Sequence, residues 1–389
     1  MFCQLDSLRR CLPGRIRSAL DGLPRTLDTT YERTLQDIDD ENWGYAHRLF
    51  QCIAVTSRPL RVEELAEFLA IDFDAGGIPT LVAGWRPVNP GNAVLSACSS
   101  LIAFVTVDGS PVVQFSHFSV QEFLLSSRLT SPRVSRYCIS LEPAHTIVAQ
   151  ACLSVLLQLD SHVNKRSLDK YPLAHYAAQH WVDHAMFQNV LSSVEYAMKH
   201  LFDRDRPYLA AWVWIYDMDR GSMDSEAPLQ TNAPPTYHAT LWDLPHLAEW
   251  LVTACSQDVN EQGGYYGTPL CAAAARGRLR VAQVLVKCGA QVDAAGGNGW
   301  SPLLWASDGK SLELSQLLLD LGADINFCDP FNRTPLYLAS TKGNLEIARL
   351  LIRHGADVNL LERREWMELV RTLQWADRQS LTYGAYVRM

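Results

Sequence analysis

The sequence predicts a mainly α-helical protein that ends in an α-solenoid and carries, ahead of it, a smaller helical domain closed by a β-hairpin. Three observations carry this expectation. In the C-terminal third Thr268-Pro269-Leu270, Ser301-Pro302-Leu303 and Thr334-Pro335-Leu336 recur 33 residues apart, and so do Gly289-Ala290, Gly322-Ala323 and Gly355-Ala356. Two independent landmarks that keep one period three times mark a repeat array. Apolar residues at helical spacing fill most of the preceding chain, and one alternating apolar pair, Ile102–Val107 and Val112–Phe115, interrupts them around Asp108-Gly109.

The 389 residues allow two or three domains, and 48% apolar against 20% charged residues is the balance of a globular chain. Lys and Arg number 34 against 42 Asp and Glu, a net charge of −8. Binders of nucleic acid or anionic membranes carry a basic excess, so neither is an expected partner. Ten cysteines form no C-x-x-C pair, which reads as reduced, mostly buried thiols in a cytoplasmic protein. The opening MFCQLDSLRRCLPGRIR has charges where a signal peptide has its apolar core. No run approaches the roughly 20 apolar residues that span a bilayer.

In chain order, residues 1–40 read as helices: Leu5 to Arg10, Ile16 to Leu23 and Thr30 to Ile38. Asn42 to Val55 is amphipathic, with Leu49, Ile53 and Ala54 inward, and Arg58-Pro59-Leu60 ends it. Val62 to Ala70 and Ala93 to Leu101 are two further helices. The hairpin follows, turning at Asp108-Gly109-Ser110-Pro111, since Asp-Gly between alternating apolar runs is a hairpin signal. His117 to Leu125 is a helix again. Three helices closed by a hairpin is the order of a winged helix, placed at 41–135. Residues 136–234 read as a helical connector, 235–360 as the repeats, and 361–389 as a capping helix or tail with Trp366, Leu369, Val370 and Leu373 on one stripe.

Each 33-residue unit has its own physical logic. Thr or Ser caps a helix whose first turn holds Pro, because the missing N–H needed no partner there. That helix is short and small-faced, as in Cys271-Ala272-Ala273-Ala274-Ala275. The second helix spaces Val281, Val284 and Leu285, or Leu314, Leu317 and Leu318, to bury one stripe. It ends at Gly289, Gly322 or Gly355, which can turn left-handed without a Cβ clash. The pattern resembles ankyrin repeats from about Pro235 to Asn359. It departs from them where Cys271, Leu304 and Tyr337 replace the usual His after Thr-Pro-Leu, and where Lys310 replaces a turn Gly. Thr236 to Asn260 reads as a degenerate first unit or an N-terminal cap, with Ser256 in place of Gly.

SLRRCLPGRIRSALDGLPRTLDTTYERTL, RPLRVEELAEFLAIDF and FSHFSVQEFLLSSRL resemble fungal NACHT-type signalling NTPases, in which a winged helix of the type also found in GPI-inositol-deacylase-like proteins leads into repeats. YPLAHYAAQHW resembles their helical connector. The resemblance implies an intracellular sensor or scaffold, with residues 1–40 the helical remnant of the NACHT module and the NTPase core absent. Gly309-Lys310-Ser311 is the sole P-loop-like match, and Leu304 stands where its first Gly is required, so no nucleotide or other cofactor is expected.

Chemical alternatives are weak. His180 and His184 have the four-residue spacing of a helical metal pair, but His175 lies off that face and no third ligand is evident. His117, Ser119 and Glu122 could suggest a base and a nucleophile, yet capping the following helix is the simpler role. Asn92 to Leu101, the recognition-helix candidate, has no Lys or Arg, which argues against DNA. The expectation is therefore a non-enzymatic scaffold or sensor fragment that binds protein partners. The alternative is the regulatory half of a NACHT-type nucleotide switch. Ankyrin units bind with turn tips and the exposed side of the first helix. By position these are Gly264, Tyr265, Arg276, Asn298 and Trp300, then Asp308, Phe331, Arg333, Thr341 and Lys342. Tyr265, Trp300 and Phe331 are the expected anchors, and Arg276, Arg333 and Lys342 would favour an acidic partner.

Overall fold

Burial of the apolar stripes builds helices first, and the computed structural model describes them over residues 27–129, 131–160, 162–219 and 232–360. The expected helices Leu5 to Arg10 and Ile16 to Leu23, and the expected capping stripe after residue 360, lie outside the described residues. The described residues divide into two compact units, the first running to Asp217 and the second comprising 218–219 and 232–360.

The first unit opens with α1 (Leu27–Gln36) and α2 (Trp43–Val55). The strand β1 (Leu60–Arg61) leads into α3 (Val62–Ala66). Glu64 holds this junction: its buried carboxylate accepts from the Arg61 backbone N–H at 2.7 Å and from both terminal nitrogens of Arg58. A 3₁₀ turn over Glu67–Ala70 replaces the second half of the expected helix. Then come a two-stranded ribbon, β2 (Ile71–Asp72) with β3 (Thr80–Leu81), and α4 (Pro90–Cys98). The hairpin is β4 (Ile102–Val107) and β5 (Ser110–Phe115), and the sheet order is β1-β5-β4, antiparallel throughout. Helix, strand, two helices and hairpin in this order form a winged helix.

The turn is tighter than expected. Asp108 (φ 49°) and Gly109 (φ 78°) alone make it, both left-handed as a two-residue hairpin turn requires, so Ser110 and Pro111 belong to β5. The buried face of α2 is Ala46, Leu49, Phe50 and Cys52, with Ile53 and Ala54 only half-buried, because Phe50 turns toward Phe115 and Tyr137.

After the wing come α5 (Phe118–Leu124), capped by His117, and the short α6 (Pro132–Ser135). The connector is α7 (Leu141–Leu156), α8 (Lys165–Leu168), α9 (Ala174–Ala185), α10 (Val190–Leu201) and α11 (Tyr208–Ile215). The long, apolar α7 packs against α2, α9 and α10. Trp181 and Trp212 meet edge to face in its core, and the Trp212 indole N–H donates to the Ala178 carbonyl at 2.9 Å.

Among the described residues the second unit holds four helix pairs: α12 (Pro235–Leu241) with α13 (Pro245–Thr253), α14 (Pro269–Arg276) with α15 (Leu279–Lys287), α16 (Pro302–Asp308) with α17 (Leu312–Asp320), and α18 (Pro335–Thr341) with α19 (Leu345–Arg353). Thr268, Ser301 and Thr334 cap α14, α16 and α18 through their hydroxyls, as expected. The first helices pack on one another along the stack, and so do the second helices. A ladder of side chains holds the register between units. Asn260 accepts from the Gln291 N–H, Asp293 from the Asp324 N–H, and Asn326 from the Asp357 N–H, each across 31 residues.

Gly322 closes α17 at φ 83°, with open space where a Cβ would stand. Gly322→Ala is therefore expected to cost the stack about 1–2 kcal/mol from left-handed strain alone. Urea unfolding of both proteins measures it, and equal midpoints would show that this turn relaxes.

Candidate functional site

The strongest candidate site is the row of tips that join consecutive helix pairs. Each tip is closed by one backbone hydrogen bond at the 33-residue period: Gly263 N–H to the Gly267 carbonyl, Gly296 to Trp300, and Asp329 to Arg333. The first two tips come very close, since a Cβ on Gly267 would lie 2.2 Å from the Gly296 Cα. Glycine is required there by contact between backbones.

Tyr265 and Phe331 occupy equivalent places at the apex of the first and third tips, and both project, 64% and 77% exposed. Asn298 holds that place in the second tip and uses its side-chain oxygen on the Trp300 N–H. Trp300 is half-buried, contrary to its expected exposure. Its ring packs 4.4 Å from that of Trp305, and its indole N–H donates to Asp329 at 3.1 Å. Arg333 lies over both Trp300 (5.2 Å) and Phe331 (5.1 Å). Tyr266 meets Trp305 edge to face at 4.8 Å, and Arg276 lies 5.5 Å over Tyr266. The structure thus joins Trp300, Phe331 and Arg333 into one stacked run, and brings Tyr265 within 6.0 Å of Trp305.

The cations of this row are balanced. Arg333 pairs with Asp329 at 2.6 Å, Lys342 with Asp308 at 3.0 Å, and Arg276 reaches Asp219 at 3.7 Å and donates to the Met218 carbonyl. The expected pull on an acidic partner is correspondingly reduced, because each positive charge already has a carboxylate. Burial alone would raise the Asp329 carboxyl, but hydrogen bonds from the Arg333 side chain and from the Arg333 and Phe331 N–H groups hold it below its usual value. Thr341 turns its hydroxyl back to the Tyr337 and Leu338 carbonyls of its own helix.

Sequence reasoning missed Asp329, Trp305 and Tyr266. A signal existed for two of them. Asp329 stands where the earlier tips have Gly263 and Gly296, and Trp305 stands where the neighbouring units have Ala272 and Leu338. A charge in a glycine position, or an indole where the neighbouring units have aliphatic residues, reports a local job.

Elsewhere the other candidate residues fall as follows. His117 caps α5, its Nδ1 accepting from the Ser119 N–H and lying 2.6 Å from the Ser119 hydroxyl, which in turn lies 2.7 Å from the Tyr31 hydroxyl. His184 bonds to His145 and Tyr176 and not to His180. Among the described residues no group of three or more His, Cys, Asp or Glu is placed to hold a metal ion, and no helix is long and apolar enough to cross a membrane. Gly309-Lys310-Ser311 forms the turn between α16 and α17, with Lys310 left-handed at φ 63°.

Comparison with known proteins agrees with this architecture. Residues 237–329 and 292–362 match the ankyrin-repeat family model, and residues 31–134 match that of the GPI inositol-deacylase winged helix domain. A Monascus ruber protein named azaphilone pigments biosynthesis cluster protein L is 32% identical over 286 residues, 69% of this chain and 60% of that protein. The chain therefore spans 60% of the length of that relative.

Proposed function

We propose that this chain is a non-enzymatic, cytoplasmic interaction module whose ankyrin stack binds a protein partner across the tips from Tyr265 to Phe331. The observation that carries the reading is the exposure of these two equivalent aromatics on either side of a packed Trp300–Arg333 centre. Large aromatics fixed at a surface lose little entropy on binding and dominate interface energy. Arg276, Asn298, Asp308, Thr341 and Lys342 flank them and supply the polar rim. The finer reading, that this is the regulatory part of a NACHT-type nucleotide switch, is supported by the order of winged helix, helical connector and repeats.

The test uses the double change Tyr265→Ala with Phe331→Ala and leaves Trp300 intact, since Trp300 supports the tips. Partners captured from native lysate by the wild-type chain would be identified and titrated against both proteins. The expected result is a loss of at least about tenfold in affinity with unchanged circular dichroism. A folded double variant that keeps full affinity for every partner would remove the tips as the binding surface.

A further inference from the structure

In the winged helix, the wing itself has an open edge. With sheet order β1-β5-β4, strand β4 pairs on one side only among the described residues. Its hydrogen-bond parity follows from the two-residue turn. Val107 and Ser110 flank the turn and exchange bonds, so Val105 and Ala103 also bond inward to β5, while Phe104 and Thr106 face their N–H and C=O groups outward. The Ser116 N–H to Leu101 carbonyl bond, 2.9 Å, falls on the same parity. Pro111 obeys it too, because it lies opposite Thr106, where β4 asks for no donor.

The outward edge is apolar and uncharged. Phe104, Val105 and Val107 are 37%, 36% and 47% exposed, and Leu95 of α4 is exposed as well. Neither α4, β4 nor β5 contains a single Asp, Glu, Lys or Arg, in a chain of net charge −8. Protected edges usually carry a charge, a proline or a bulge, and β4 carries none of these.

We propose that β4 is the edge through which two copies of this chain pair, antiparallel about Val105, to make a six-stranded sheet. The outward groups are self-complementary in this register. Phe104 of one copy meets Thr106 of the other twice, which gives two bonded pairs around a central Val105–Val105 contact. Charge permits the same occupant. Two copies of net charge −8 meet along this strip without the repulsion that ionisable groups on it would impose. In this register the two Asp108 side chains stand about 20 Å apart along the strands, beyond the roughly 8 Å screening length at physiological salt.

Sedimentation equilibrium of the full chain from about 1 to 200 μM covers the range in which small interfaces associate. The expected result is a reversible monomer–dimer equilibrium. Thr106→Pro should abolish it with an unchanged circular dichroism spectrum, since the Thr106 N–H serves no bond inside the hairpin. Val105→Lys and Val105→Glu provide the second arm: each alone should be monomeric, because like charges would meet at the centre, and their mixture should recover the dimer. A wild-type chain that stays monomeric at the highest concentration would overturn the proposal, whether another protein's strand or nothing occupies the edge. So would a mixture of the Lys and Glu variants that fails to associate, or single variants that dimerise like wild type.

Discussion

Lowering the pH from 7 to 5 is expected to remove about 2 kcal/mol from the unit that contains the winged helix and connector, through His184. His184 lies buried on α9, where its Nε2 meets the Tyr176 hydroxyl at 2.8 Å and its Nδ1 meets Nδ1 of His145 on α7 at 2.9 Å. The Tyr176 oxygen also accepts the Ser57 backbone N–H from the end of α2. With that bond accepted, the Tyr176 proton is available to His184 Nε2, an arrangement in which neutral His184 carries its proton on Nδ1 and donates to His145. A proton added to either imidazole leaves two donors facing each other. Burial, reinforced by the charges of His145 and His180, lowers the His184 pKa from 6.5 to about 3. Because the folded value lies below the unfolded one, the unfolded chain takes up the extra proton. The stabilisation is complete above about pH 6.5 and is lost progressively as pH falls toward 3. The measurement is urea unfolding from pH 7.5 to 4.5 for wild type and His184→Gln. The variant should lose the steeper part of the acid limb even if it is less stable at neutral pH. Buried His238, lowered to about 4, gives the repeats an acid limb of their own, so the comparison rests on the difference in slope between the two proteins. Equal slopes would mean that His184 is not the titrating group.

The repeat array was legible because its constraints are local. A hydroxyl before Pro caps a helix wherever it occurs, and a left-handed helix end asks for Gly in the same chain position each time. Two degenerate places, Ser256 and Lys310, were also marked in the sequence. They and Asp243, which the sequence reading passed over, all adopt positive φ where other units use Gly, so the backbone kept its path and tolerated the strain. The ladder at Asn260, Asp293 and Asn326 repeats every 33 residues and was available to the same reading, but its meaning, a bond to the next unit, needs the stack. The His145–His184 pair was not legible at all: the partners stand 39 residues apart on α7 and α9, and only packing brings them together. Strand β1 was missed because two residues carry no alternation, and it exists only because β5 lies beside it. At the candidate site, position in the unit picks out Tyr265, Asn298 and Phe331, which the structure places in the turns between helix pairs. What position cannot tell is which aromatic points outward, and Trp300 turned in because Asp329 of the next unit offers its ring nitrogen an acceptor.

Asp329→Ala is expected to destabilise the repeats by about 2–4 kcal/mol, the largest effect of any single side chain in the tips. The Asp329 side chain is wholly buried and every lone pair is used. Oδ1 accepts the N–H groups of Phe331 and Arg333, each at 2.9 Å, which shapes the third tip. Oδ2 accepts Trp300 Nε1 from the second tip and Arg333 Nε at 2.7 Å. Truncation leaves two backbone donors, an indole N–H and a partly buried guanidinium without their acceptor, and unmade bonds cost more than made ones contribute. Asp329→Asn keeps one carbonyl oxygen for the backbone donors but loses the charge, and should fall between Ala and wild type. Because Asp329 links two tips, the loss should reach the neighbouring helix pair and not stop at one unit. Urea unfolding of the three proteins measures the order, and hydrogen exchange at residues 296–300 reports whether the second tip loosens with the third. An Asp329→Ala protein with wild-type stability and unchanged exchange at those residues would show that the tips are held by ring stacking alone.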